Sequence, residues 1–229
     1  MFGLGGYETL LFKGAWLTIM VGLASMTLAI IFGLTGALAK LSSSLPLRAA
    51  AEIYTTLLRG IPELVLILLI YYGFPTMVQD IGSAMGFDFI INFNPFLAGT
   101  CTIGIIYGAF ATEVFRGAYQ AVSKGQIEAA QAAGMGRVMA FRRVTLPQMW
   151  RFALPGLGNV WMVLIKATAL ISIIQLPELM RNADIAARAT HKPFTTCYRA
   201  SCIYLAITLV SMLAQKRAEQ WANRGIRRS

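Results

Sequence analysis

With 57% hydrophobic and only 13% charged residues among 229, and a mean hydropathy of +0.63, the chain is too apolar for a soluble domain, in which about a quarter of residues are charged. Its net charge of +10 points to the anionic face of a membrane and away from nucleic acid. Three cysteines in apolar runs (Cys101, Cys197, Cys202) form neither a disulfide framework nor a metal set, and a single His191 excludes a multi-histidine centre.

The first twelve residues carry only Glu8, so a basic leader region is missing, and the apolar run that follows is too long for a signal-peptide core. Ala37-Leu38-Ala39 fits a small-x-small cleavage pattern, as an Ala-rich helix does by chance, and no cleaved leader is expected. Crossing ~30 Å of hydrocarbon takes about 20 apolar residues. Charged residues divide the chain into five such runs, expected at about 15–39, 53–79, 89–112, 152–174 and 193–215. Arg59 and Glu63 fall inside the second, Lys166 inside the fourth and Arg199 near the start of the fifth. A short Ser/Pro turn follows the first run, and an acidic loop at 80–94 follows the second. A connection at about 116–151 joins the third and fourth, and a basic tail closes the chain. The whole chain reads as one all-α integral membrane domain without internal repeats.

Orientation follows from where Lys and Arg fall. If the N-terminus is outside, thirteen basic residues lie in inside segments: Lys40 and Arg48, then Arg116, Lys124, Arg137, Arg142, Arg143 and Arg151, then Lys216, Arg217, Arg224, Arg227 and Arg228. Outside segments hold four, Lys13, Arg181, Arg188 and Lys192. This bias places the N-terminus outside and the C-terminus and the 116–151 connection in the cytoplasm.

That connection is too long to be without structure. Ile127, Ala130, Ala133 and Gly134 recur at i, i+3, i+6 and i+7, which predicts a short helix with a small, smooth face. Glu128 sits near its start, where negative charge suits the helix dipole. Gly134 and Gly136 break it, and a further turn is expected to end at Leu146-Pro147, because proline disfavours helix at the preceding residue. One reading of such a helix is that it lies on the lipid surface. However, an Ala/Gly face buries little area at about 25 cal/mol per Å², and a protein partner uses small residues better.

The residues from Glu128 to Pro147 also resemble a known family. Glu128-Ala129-Ala130, Gly134 and Val144-x-Leu146-Pro147 match the EAA loop of ABC importer permeases, with Val144 in place of the usual isoleucine. Arg59-Gly60-Ile61-Pro62, Glu113-Val114-Phe115-Arg116-Gly117, Lys124-Gly125-Gln126, Ala153-Leu154-Pro155-Gly156-Leu157-Gly158-Asn159 and Lys166-x-Thr168-x-Leu170 look like the polar amino acid permeases. The likeness is greatest to the Q-type subunits of the histidine, lysine/arginine/ornithine and opine importers. It implies a type I importer permease fold in the bacterial inner membrane, and a non-catalytic subunit forming half of a path for polar, cationic amino acids. It also implies its partners: a second permease, two copies of a cytoplasmic ATPase that binds ATP and Mg, and a periplasmic substrate-binding protein. No cofactor or metal is implied in this chain. Gly125, Glu128, Ala129, Ala130, Gly134, Leu146 and Pro147 would then dock the ATPase. The chain has no Gly-x4-Gly-Lys-Ser/Thr loop of its own. Many relatives carry Asp after the fourth-span lysine; here it is Ala167, which implies an unlike partner permease holding more of the site.

Ionisable groups at membrane depth face a bundle interior or a substrate path. At 1.5 Å per residue, Glu63 is expected about 15 Å and Lys166 about 21 Å from the inner surface. The charges admit two roles. Glu63 would pair with Arg59, four residues away, or with Lys166, and Arg59 with Glu113, as ties between helices. Alternatively Glu63 would attract the cationic side chain of a substrate whose carboxylate meets Lys166 and Thr168. An ion-gradient-coupled transporter would need more spans or repeats, and a membrane enzyme would need a catalytic constellation that a lone His191 does not supply.

Overall fold

The computed structural model describes residues 6–87 and 94–223, and all regular structure among them is helical. The expected start of the third span, residues 88–93 of the acidic loop and the basic residues Arg224, Arg227 and Arg228 lie outside the described residues. Five stretches are long and apolar enough to cross a membrane: Glu8–Lys40, Glu63–Ala84, Pro95–Gln120, Arg137–Ile174 and Pro193–Ala222.

Helices α1 (Glu8–Lys40) and α5 (Pro95–Gln120) run parallel and form the central pair. Their approach is close because small residues face each other. A Cβ on Gly33 would lie 2.6 Å from that of Ala111, and one on Gly104 2.6 Å from that of Leu28. Lipid offers no hydrophobic drive between helices, so close packing of this kind has to hold them together. Around the pair lies a core of Val21, Ile67, Ile103, Ile106, Leu164 and Ile171.

α2 (Leu45–Gly60) packs along α5 from the Lys40 end of the bundle, with the hydroxyl of Tyr54 at its middle donating to the Ile105 carbonyl at 2.7 Å. It then stops. Ile61 is extended, at φ −100° and ψ 136°, as residues before proline are, and α3 (Glu63–Leu68) begins after Pro62. The second expected span was continuous across 53–79; proline divides it into two helices, so the i,i+4 relation of Arg59 and Glu63 is lost. A π turn at Leu69–Gly73 leads into α4 (Phe74–Ala84), whose second residue is Pro75.

The same device recurs in the long connection. After α6 (Lys124–Ala132) and α7 (Arg137–Ala140), a π turn at Phe141–Thr145 leads into α8 (Leu146–Ala167), whose second residue is Pro147. Leu146-Pro147 was expected to end a helix; helical backbone instead runs from Arg137 to Ile174. Proline lacks the N–H and its ring clashes with the carbonyl four residues back, and the wider π turn in front removes that conflict. The expected span at 152–174 thus begins earlier, and its last turns, Thr168–Ile174, tighten to a 3₁₀ helix.

α8 runs antiparallel to α5, with Phe115 edge-on to Trp150 at 5.5 Å and Gly156 against Val114. α9 (Leu179–Thr190) is a short helix; Gln175, which ends the 3₁₀ turn before it, and His191, which ends α9 itself, both have positive φ, 63° and 53°. α10 (Pro193–Ala222) buries only Thr196 and Ala200 and exposes Phe194, Leu205, Leu209, Val210 and Leu213, a surface suited to lipid or another membrane subunit.

Candidate functional site

Two regions gather the residues singled out in the sequence. The first is the connection between α5 and α8. α6 forms as the spacing predicts, and Gly134 closes it with φ +84°. The Gly134 amide donates to the Gln131 carbonyl at 3.0 Å and the Met135 amide to that of Ala130 at 3.1 Å, the paired bonds of a Schellman cap. Glycine is required there because a Cβ makes the left-handed conformation costly.

The covered face differs from expectation. Ile127 is half-buried against the Phe115–Met149 cluster, and Ala130 is buried, so they anchor α6 to its own chain and Ala130 presents nothing to a partner. Gly125, Glu128, Ala129, Ala133 and Gly134 remain exposed on the other side. Gln126 and Gln148 are hydrogen-bonded, linking α6 to the first turn of α8. Leu146 packs partly into the same cluster, whereas Pro147 is exposed. Beyond Gly136 the exposed Val138, Met139, Arg142 and Arg143 line a hollow of about 570 Å³. The connection therefore presents a small-residue helix face beside an apolar and basic patch.

The second region surrounds the helix break. Tyr107 lies at the middle of α5, twelve residues from Pro95 and thirteen from Gln120. Its hydroxyl donates to Glu63 Oε1 at 2.9 Å, so the carboxylate sits at the mid-level of the bundle. Tyr107 stacks on Phe110 with centroids 5.6 Å apart, and the Arg59 guanidinium lies over Phe110 at 5.3 Å from its centroid. The break thus separates Glu63 from Arg59, with an aromatic pair between them.

None of the expected ion pairs forms. Glu113 pairs with Lys40 at 2.6 Å and with Arg116 at 2.7 Å, and Lys40 also meets Glu52 at 2.8 Å. These groups join the ends of α1 and α5 to α2. Lys40 wins over Arg59 because parallel packing brings the end of α1 beside the last turns of α5. Lys166 is exposed and has no ion-pair partner among the described residues. Thr168 is fully buried and donates to the Ile165 carbonyl at 2.7 Å, so it does not face a substrate carboxylate.

One group was missed. Glu178, fully buried between α8 and α9, caps α9 by accepting from the amides of Met180 and Arg181, each at 2.8 Å. It also accepts from Thr18 at 3.4 Å and Tyr204 at 3.2 Å, so one carboxylate ties α1, α9 and α10. Burial raises its pKa above the ordinary carboxylate range, against the pull of the four donors. Glutamate is not a favoured cap, and the Thr18 and Tyr204 hydroxyls that it meets lie far away in sequence, so only the Pro177-Glu178 start of a helix signalled it.

The chain resembles proteins of known role. The octopine transport system permease protein OccQ of Rhizobium meliloti is 44% identical over 227 residues, covering 99% of this chain and 96% of that one. The histidine/lysine/arginine/ornithine transport system permease protein HisQ of Salmonella typhimurium is 44% identical over 206 residues, 90% of each. A solved amino acid ABC transporter determined with histidines superposes with a TM-score of 0.80 at 34% identity, covering 93% of this chain and 94% of that one. A methionine ABC transporter shares the fold at a TM-score of 0.75 and 16% identity. Binding-protein-dependent transport system inner membrane components match residues 29–224. The chain belongs to that family: it is a multi-pass inner membrane permease subunit of an ABC importer, and the ATPase of the complex is a separate chain.

Proposed function

We propose that the chain forms half of the translocation path of an importer for cationic amino acids, the class named for its relatives that carry histidine, lysine, arginine, ornithine and opines. The observation that carries this is the state of Glu63. Its carboxylate is held at mid-bundle by Tyr107, and among the described residues no cation pairs with it. A carboxylate at membrane depth is costly unless compensated, and a passing ammonium, guanidinium or imidazolium supplies that compensation during transport. Lys166 contributes a positive charge on the same path. The partner permease is a different chain, consistent with Ala167, and each permease docks one ATPase through the face formed by Gly125, Glu128, Ala129 and Gly134, with Leu146 and Pro147 at its base. A binding protein delivers substrate from the periplasm.

The test is substrate-stimulated ATP hydrolysis and uptake by the reconstituted complex across a panel of amino acids. Lysine, arginine, histidine and ornithine should stimulate, and glutamate should not. Glu63→Gln should lower uptake of lysine and arginine about tenfold or more; unchanged uptake would remove the cation role.

A further inference from the structure

We propose that Arg59 receives the α-carboxylate of the substrate, so that Arg59 and Glu63, held apart across the helix break by Tyr107 and Phe110, grip the two ends of a long cationic amino acid. It rests on the substrate class proposed above.

Four observations support it. First, Arg59 has no carboxylate partner among the described residues, although Glu113 is near; Glu113 is already bound by Lys40 and Arg116. Second, Arg59 is accessible. It is exposed and lines a cleft of about 530 Å³ with Lys40, Arg48, Glu113 and Arg116 at one end of the bundle. Third, its guanidinium lies over the Phe110 ring. Stacking engages the face of the group and leaves its in-plane N–H donors for a carboxylate fork. Fourth, Thr168 is spent on its own helix, so the carboxylate receptor expected beside Lys166 lacks its hydroxyl.

The break also sets the two charges apart. In an unbroken helix Arg59 and Glu63 would be about 6 Å apart along the axis and would neutralise each other. A fully extended chain would separate them by at most about 13–14 Å. Ile61 and Pro62 are extended and the flanking residues helical, so the true separation lies between these limits. The break thus takes the two side chains out of the direct i,i+4 contact of an unbroken helix and leaves room between them for a substrate charged at both ends. The aromatic pair keeps the two protein charges from closing on one another.

The experiment measures equilibrium binding of radiolabelled arginine to the purified permease–ATPase complex in nanodiscs, without binding protein. The competitors are agmatine, which keeps the guanidinium and lacks the carboxylate, and citrulline, which keeps the carboxylate and lacks the charge. Arg59→Gln is expected to weaken arginine about tenfold or more and agmatine less than twofold. Glu63→Gln is expected to weaken arginine and agmatine alike and to leave citrulline unchanged. Should Arg59→Gln fail to co-purify with the ATPase, Arg59→Lys carries the same comparison, because it keeps the charge and loses the fork. Equal weakening of arginine and agmatine by the Arg59 variant, or of neither, overturns the carboxylate role and leaves the substrate class standing. A wild-type complex that neither binds nor transports arginine, lysine, histidine or ornithine overturns the substrate class itself.

Discussion

At the scale of single residues, a few buried polar groups have partners that no local pattern announces. Glu178 is the clearest. Four donors surround its carboxylate, yet burial still lifts its pKa above the usual 4.5. The folded state therefore binds the proton more tightly than the unfolded one. Its contribution to stability is fully present below that ordinary value and is lost as pH rises through the raised folded pKa. Glu178→Gln removes the titration and keeps one acceptor. Its melting temperature in detergent, measured against wild type from acid to neutral pH, should improve relative to wild type as pH rises. A constant difference would show that Glu178 does not titrate in this window. Glu178→Ala should cost about 1–3 kcal/mol at any pH, because it leaves two helix amides and two hydroxyls without their acceptor. Sequence alone hid this residue for a physical reason: its Thr18 and Tyr204 partners are 160 and 26 positions away.

At the scale of elements, charge spacing located the crossings well, because an ionised side chain seldom enters hydrocarbon unpaired. It located their ends less well. The second span was expected to run on through Pro62, which divides it, and a helix was expected to stop at Pro147, which it passes. The two differ in what precedes them: Pro62 follows an extended Ile61, whereas Pro147 follows a π turn that accommodates the ring. Periodicity likewise showed that Ile127, Ala130, Ala133 and Gly134 share a side of α6, but a period cannot tell which side the rest of the chain covers. In the fold Ile127 and Ala130 face inward, which leaves Glu128, Ala129 and Gly134 for the proposed ATPase contact. Gly134→Asp tests that contact. Gly134 has open space around it, so nothing in this chain clashes, and the positive φ costs about 1 kcal/mol. The variant should therefore insert and remain folded, while its charge and bulk at the smooth face reduce ATPase co-purification and substrate-stimulated hydrolysis about tenfold. Wild-type coupling in an inserted Gly134→Asp protein would count against docking through α6.

At the scale of the whole molecule, the parallel course of α1, α5 and α10, with α8 opposed, agrees with the alternation of five crossings. It also gathers Lys40, Arg116 and the 124–151 connection at one end, and Glu8, Arg181, Arg188 and Arg199 at the other. At this second end three basic residues are paired, Arg199 with Glu8 at 3.0 Å, and Arg181 and Arg188 with Asp184 at 3.6 and 3.1 Å, while Lys13 and Lys192 meet no carboxylate among the described residues. At the first end most are not, since Lys124, Arg137, Arg142, Arg143 and Arg151 meet no carboxylate among the described residues. Unpaired positive charge resists translocation and is attracted to anionic lipid, so the α6 end is expected in the cytoplasm. The proposed ATPase contact requires the same side. Single cysteines decide the matter once Cys101, Cys197 and Cys202 are replaced by serine or alanine. Ser123→Cys, at the start of α6, should resist a membrane-impermeant maleimide added to intact spheroplasts and react after permeabilisation. Thr190→Cys, at the end of α9, should react in the intact cells. Reversed labelling would place α6 on the outer face, where no ATPase is available, and would overturn both the orientation and the docking face together.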